Sequence, residues 1–158
     1  VGALIDAVLK GPTPAQLEHA RVELQRREDA GLGVAIETWH HFTPGMLART
    51  ILIPAGVTLL GAKHKEPHIV IVHGDLSVNT DDEGMQRLTG YHVFPSMPGA
   101  QRIMHAHADT WMTTLHQNPD DCRDLATIED RLVERSDQLQ RRRQPLVLDA
   151  RHAQRMIV

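Results

Sequence analysis

Two imidazoles and a carboxylate stand close together in this chain, at His64, Glu66 and His68. Side chains alternate between the two faces of an extended segment, so all three would point the same way. Two nitrogens and one carboxylate would then converge as a divalent transition metal prefers. Pro67 lies among them and can bend the chain, so the three need not share one regular strand. The competing reading is a hydrogen-bonded polar cluster in the mouth of a barrel. Arg102 is the candidate for holding an anionic group, since its planar fork matches a carboxylate.

Histidine is the unusual component, 11 in 158 residues, and imidazole is the commonest metal ligand. The others carry weaker signals. His40 and His41 precede Phe42-Thr43-Pro44-Gly45 in an expected loop, and His73 sits at an expected turn. His19, His92, His116 and His152 stand alone and read as surface or hydrogen-bonded groups. Trp39 and Trp111 read as core anchors. The single cysteine, Cys122, can form neither an internal disulfide nor a cysteine-rich zinc site. A net charge of −3 and only two Trp, one Tyr and two Phe argue against nucleic acid as a partner. The chain has no apolar run of about 18 residues and no basic stretch ahead of the apolar residues of Val1 to Lys10, so neither a membrane span nor a secretion signal is expected. Nucleophile elbows, phosphate-binding glycine loops and dinucleotide fingerprints are missing, which removes acyl transfer and nucleotide chemistry from consideration.

The positioning elements follow from pattern. A chain of 158 residues is one domain's worth. Residues 2–10 read as a short helix or arm closed by Gly11-Pro12. Thr13-Pro14-Ala15-Gln16 is a capping box with proline at the first helical position, which predicts a helix to Ala30, ended by Gly31. Its apolar stripe, Leu17, Val22 and Leu24, is thin, so the helix is expected to lie on something, a partner chain being one candidate. From 34 to 116 the chain breaks into short β-like runs separated by Gly, Pro and Asp turns, the spacing of a sandwich or barrel. The β-branched run Ile69 to Val72 predicts a strand packed on both faces, and Asn79 to Gly84 a solvated turn. A further helix is expected from the Asp124 cap through Leu125, Ile128, Leu132 and Leu139 to Pro145, with Arg141 to Arg143 complementing its C-terminal end. Residues 146–148 read as a short strand, and the tail ends in Met156-Ile157-Val158 with no local core. The expected organisation is a helical arm over 1–33, a β-barrel over 34–118, and a helix with tail over 119–158.

From Thr50 to His116 the order of features resembles the cupin family: Gly56, the histidine cluster, an apolar strand ending in Gly74-Asp75, a polar hairpin, then Pro98-Gly99 opening a second motif. That resemblance implies a mainly β fold, a cupin-like jelly-roll barrel with flanking N-terminal and C-terminal helices. It also implies one divalent transition metal on His64, Glu66 and His68. Arg102 stands where the family's second motif usually has a ligand histidine, and His105 or His107 would have to substitute. The strings LLGAKHKEPHIVIVHGDLSV, LTGYHVFPSMPGAQR and ADTWMTTLHQNP resemble small cupin-like proteins of tailed bacteriophages. This implies a non-enzymatic structural or assembly protein, found in the virion or in the cytoplasm of the infected host. It would be a homo-oligomer or a partner of other phage structural proteins, gripping neighbours through its helical arm and tail. The alternative is a metal-dependent cupin enzyme of dioxygenase or isomerase type acting on a small polar molecule, with Arg102 on the anionic group of the substrate.

Overall fold

The computed structural model describes residues 13–80 and 84–142. The expectations for the arm at 2–10, the strand at 146–148 and the apolar tail lie outside these residues. Helix α1, Pro14–Asp29, begins where the capping box places it: the Thr13 hydroxyl accepts from the Gln16 amide, and the Gln16 side chain accepts from the Thr13 amide at 2.9 Å. Seven strands follow: β1 (Glu37–Thr43), β2 (Gly45–Ile53), β3 (Thr58–Leu60), β4 (His68–Thr80), β5 (Gly84–Ser96), β6 (Ile103–Ala106) and β7 (Thr110–Asn118). Helices α2 (Leu125–Leu132) and α3 (Ser136–Arg142) close the described chain. The architecture is mainly β, a curled antiparallel half-barrel of jelly-roll type with helices on either side in sequence. Among the described residues no helix is long and apolar enough to cross a membrane.

All strand pairings are antiparallel, in the order β1-β2-β7-β4-β6-β3, with β5 on the other edge of β4. The long strand β4 makes the fold. Its first half, to His73, pairs with β7, and its second half, from Leu76, pairs with β6. Gly74 lies at the changeover with φ 153°, and a Cβ there would come within 2.7 Å of the Thr110 Cα. Glycine is therefore required for the strand to pass from one sheet to the other.

Three apolar clusters hold the body together. Ile51, Ile53, Val70, Val72, Leu76 and Met104 are among the residues that fill the space between the two sheet halves. Ala20 of α1 packs with Leu60 and Ile103 on the outside of the β3-β6-β4 half, flanked by Leu17, Leu24 and Met85. Leu47 meets Ile128, Leu132, Val133 and Leu139, which seats the C-terminal helices against one end of the barrel.

Several sequence expectations need correction. Helix α1 lays Leu17, Ala20 and Leu24 on its own barrel, and Val22 is exposed, because the groove of small and apolar residues beside β3 and β6 already accommodates so thin a stripe. The expected loop at His40-His41 is strand β1, held by pairing with β2. His73 lies within β4, and Asn79 is buried, its side-chain oxygen accepting from the Ile103 amide at 2.5 Å. Trp39 and Trp111 are half-buried on the outside of the sheet, rings 5.2 Å apart, and do not anchor the core. The run Ile69 to Val72 buries Val70 and Val72 only, and its outward side is left uncovered by the described residues. The single C-terminal helix is two helices. Val133 leaves helical geometry (φ −134°, ψ 155°) and Arg135 takes φ 53°, because residues 132–134 lend their backbone to residues 63–65.

Candidate functional site

The inward rows of the β1-β2-β7-β4-β5 half build one wall of an interior cavity. In register across these strands lie His40, Arg49, Thr114, Val70 and Phe94, and in the next row toward the barrel mouth Phe42, Leu47 and His116. His68 and Ser96, opposite each other on β4 and β5, extend that second row. His64 enters from the segment before β4, and Arg102 from the segment before β6, where its Nη1 donates to the Asn79 carbonyl at 3.1 Å. Leu125, Ile128, Glu129, Leu132 and Val133 roof the mouth. The cavity measures about 90 Å³, and at about 10–15 Å³ per water centre it holds several waters or a ligand of similar bulk. Its deep end is apolar, with Ile51, Val72, Leu76, Val78 and Met104.

Three imidazoles meet at the mouth. The ring centroids of His64 and His68 are 4.0 Å apart, those of His68 and His116 4.9 Å, and those of His64 and His116 5.4 Å, with interplanar angles of 16–37°. All three rings are held neutral. Burial is the main cause at His64 and His116, reinforced by the neighbouring imidazoles and by the positive Arg49, and it pushes each pKa down to about 3. Arg131 adds to the effect at His116. His68 is lowered by burial too, with Arg102 working in the same direction against a hydrogen bond to the Glu66 carbonyl. The Nδ1 of His116 is buried with no hydrogen-bond partner among the described residues. A buried ring nitrogen of this kind is the sort of group that a bound molecule or an ordered water satisfies.

His64, His68 and Arg102 line the cavity together, while Glu66 does not. Strand β4 begins only at His68, beyond Pro67, so the alternation expected to align Glu66 with the two histidines does not operate. Glu66 contributes its backbone carbonyl to His68 instead. His105 and His107 lie outside the cavity: His105 Nδ1 pairs with the Thr58 hydroxyl at 2.9 Å and His107 Nε2 with the Ser77 hydroxyl at 2.7 Å. His116 and Arg49 were not singled out from sequence. Period-two alternation along TWMTTLHQN carries the missing signal, since it puts Met112, Thr114 and His116 on one face.

The resemblance of the sequence to cupins implies one divalent metal on His64, Glu66 and His68, which would need donors converging on one point. Neutral imidazoles are suitable donors. Here, however, the His64 and His116 rings are stacked at an interplanar angle of 16° and the His68 ring is tilted against both. Among the described residues no three His, Cys, Asp or Glu side chains are arranged to hold a metal ion. The guanidiniums of Arg49 and Arg102 act on these histidines and would repel a cation, and Glu66 is not among the residues lining the cavity. As arranged, these residues do not fit a resident divalent metal.

No family model matches the chain, and no curated protein matches it. Solved structures of similar course are cupin-fold proteins. An RmlC-like cupin from Shewanella frigidimarina is 18% identical, covering 59% of this chain and 82% of that one, with a TM-score of 0.45. Ectoine synthase from P. lautus is 14% identical over 55% of this chain and 66% of that one, with a TM-score of 0.46. Salicylate 1,2-dioxygenase from Pseudoaminobacter salicylatoxidans is 13% identical over 73% of this chain and 34% of that one, with a TM-score of 0.47. At such identity the site has to be read from this chain's own residues.

Proposed function

We propose that the barrel interior binds a small organic anion, a monocarboxylate carrying a short apolar group. The observation that carries this reading is the make-up of the cavity wall. Arg49 and Arg102 stand beside three neutral imidazoles at the mouth, and the depth is apolar. The described lining brings two guanidiniums, Arg49 and Arg102, and one carboxylate, Glu129, to the same cavity. A guanidinium fork holds a carboxylate through paired hydrogen bonds. The apolar tail would replace water against Ile51, Val72 and Met104, while His116 Nδ1 would gain the partner that the described residues do not supply. His64 and His116, with pKa values near 3, are too weakly basic to act as general bases at neutral pH. Their part is to accept or donate hydrogen bonds and to position the ligand.

Calorimetric titration with short carboxylic acids and their primary amides tests this reading. The acids should bind and the amides should bind at least about tenfold more weakly, with Arg49→Met and Arg102→Met abolishing the difference. Equal binding of acid and amide, or binding indifferent to both arginines, would overturn it.

The metal-dependent dioxygenase or isomerase reading asks for converging donors, and the arrangement of His64, His68 and Glu66 does not favour it. The phage structural reading rests on the resemblance of the sequence strings alone. Neither the geometry nor the comparisons add to it, apart from one surface suited to assembly.

A further inference from the structure

Among the described residues, each apolar sheet face but one is covered. The inner faces pack on each other, α1 covers the outside of the β3-β6-β4 half, and the C-terminal helices close the mouth. Among the described residues, no helix lies on the outside of the β1-β2-β7-β4-β5 half. Its outward residues follow from register. Leu52, Trp111, His73 and Tyr91 form one row, Trp39, Thr50, Thr113, Ile71 and Val93 the next, and His41, Ala48, Leu115, Ile69 and Pro95 a third. None of these is buried, whereas the inward neighbours Leu47, Ile51, Val70 and Val72 are. No lysine or arginine occurs in the three rows, and the one carboxylate, Glu37, lies at the β1 rim.

We propose that this face is the interface of a two-fold symmetric homodimer, sheet packed on sheet. Three properties single out a second copy as the occupant. A two-fold interface sets the same patch against itself, so a central charge of either sign would repel its mate, and this face has none. Tryptophan and tyrosine, the residues enriched at interface centres, supply its bulk with the Trp39–Trp111 pair and Tyr91. Five strands about 4.8 Å apart and three rows about 6.8 Å apart give about 500 Å² of sheet plane, hence about 1,000 Å² for two copies, which reaches the floor for a specific interface. The dimer also resolves the run Ile69 to Val72. Its β-branched residues face both ways, as in a strand packed on both sides, and the pair covers the side that the described residues leave open.

Sedimentation velocity on the full chain, with dilution through the micromolar range, tests the proposal. The parent should be a dimer. Val93→Asp and Tyr91→Lys, at positions 52% and 67% exposed where a charge costs the monomer little, should each raise the dissociation constant at least about 100-fold. Both variants should keep the parent's circular dichroism, and Val22→Asp on the outside of α1 should leave the dimer intact. Tryptophan emission should shift to the red on dissociation, since Trp39 and Trp111 then meet water. A parent that stays monomeric, a dimer that survives both charge substitutions, or one broken equally by Val22→Asp would overturn the proposal. So would association of this face only with a different protein.

Discussion

His64 and Val133 face each other across an isolated antiparallel β-bridge, 69 residues apart in sequence and directly over the histidine cluster. The Lys65 amide donates to the Leu132 carbonyl at 2.8 Å, and the Glu134 amide to the Lys63 carbonyl at 2.9 Å. Leu132 and Val133 in this strap also line the cavity, so the strap and the cavity wall are one structure. Glu134→Pro removes one of the two donors, and the extended Val133 before it already has the geometry that a following proline demands. The Lys65 amide should then exchange with solvent at least about tenfold faster, and bound carboxylate should leave faster with little change in its affinity for the arginines. Unchanged protection at Lys65 would show that the strap is held by the apolar contacts of Val133 and Leu139 rather than by its hydrogen bonds.

The changeover at Gly74 makes a sharp demand. Alanine there brings Cβ within 2.7 Å of the Thr110 Cα, at a φ of 153° that side chains rarely adopt. The neighbour is backbone in the middle of the sheet and cannot move aside. Gly74→Ala should therefore destabilise the protein by about 2–4 kcal/mol in urea titrations. A loss below about 0.5 kcal/mol would mean that β4 and β7 have room to separate, within the range of ordinary surface substitutions.

What could be read from sequence was local. The Thr13–Gln16 capping box announces α1 because every atom of the cap lies within one turn. His64 and His68 were found because they are close in the chain. His116 and Arg49 were not, because they join the site through strand register, β7 lying between β2 and β4, and no spacing in the sequence encodes that. The break at Val133 has the same origin. Leu125 to Leu139 has helical periodicity throughout, and the helix yields only because residues 63–65 offer its backbone a competing set of hydrogen bonds. The strand starts at His68, directly after Pro67, so Glu66 does not share its regular alternation, and that proline is local and visible in the sequence.

The cation-averse setting of the histidines has a direct consequence. Protein purified without chelator should carry no stoichiometric transition metal by elemental analysis, and adding Zn²⁺ or Fe²⁺ should raise the melting temperature no more for the parent than for the His64→Ala, His68→Ala double variant. One metal per chain that is lost in that variant would establish a metal centre and return the enzyme reading to first place.

Buried neutral histidines tie stability to pH, and the sign follows from the lowered pKa values. In the unfolded chain an imidazole takes a proton near pH 6.5, whereas in the folded chain His64 and His116 resist it down to about 3. Between those limits the unfolded state binds more protons than the folded one, so stability rises with pH and is lost on acidification. Each group contributes a slope of at most about 1.4 kcal/mol per pH unit. Urea midpoints should fall steadily from pH 6.5 to 4.5 and stay flat between 7 and 8 as far as these two groups are concerned. His116→Gln keeps a polar side chain of comparable length and removes one titrating group, so the slope below pH 6 should drop by about half. A carboxylate bound beside Arg49 should act in the opposite direction, since its negative charge favours the imidazolium forms and draws protons in. Binding at pH 5.5 should then consume protons, visible as a dependence of the calorimetric heat on the ionisation enthalpy of the buffer. Heat that does not depend on the buffer would place the ligand's charge away from the histidines.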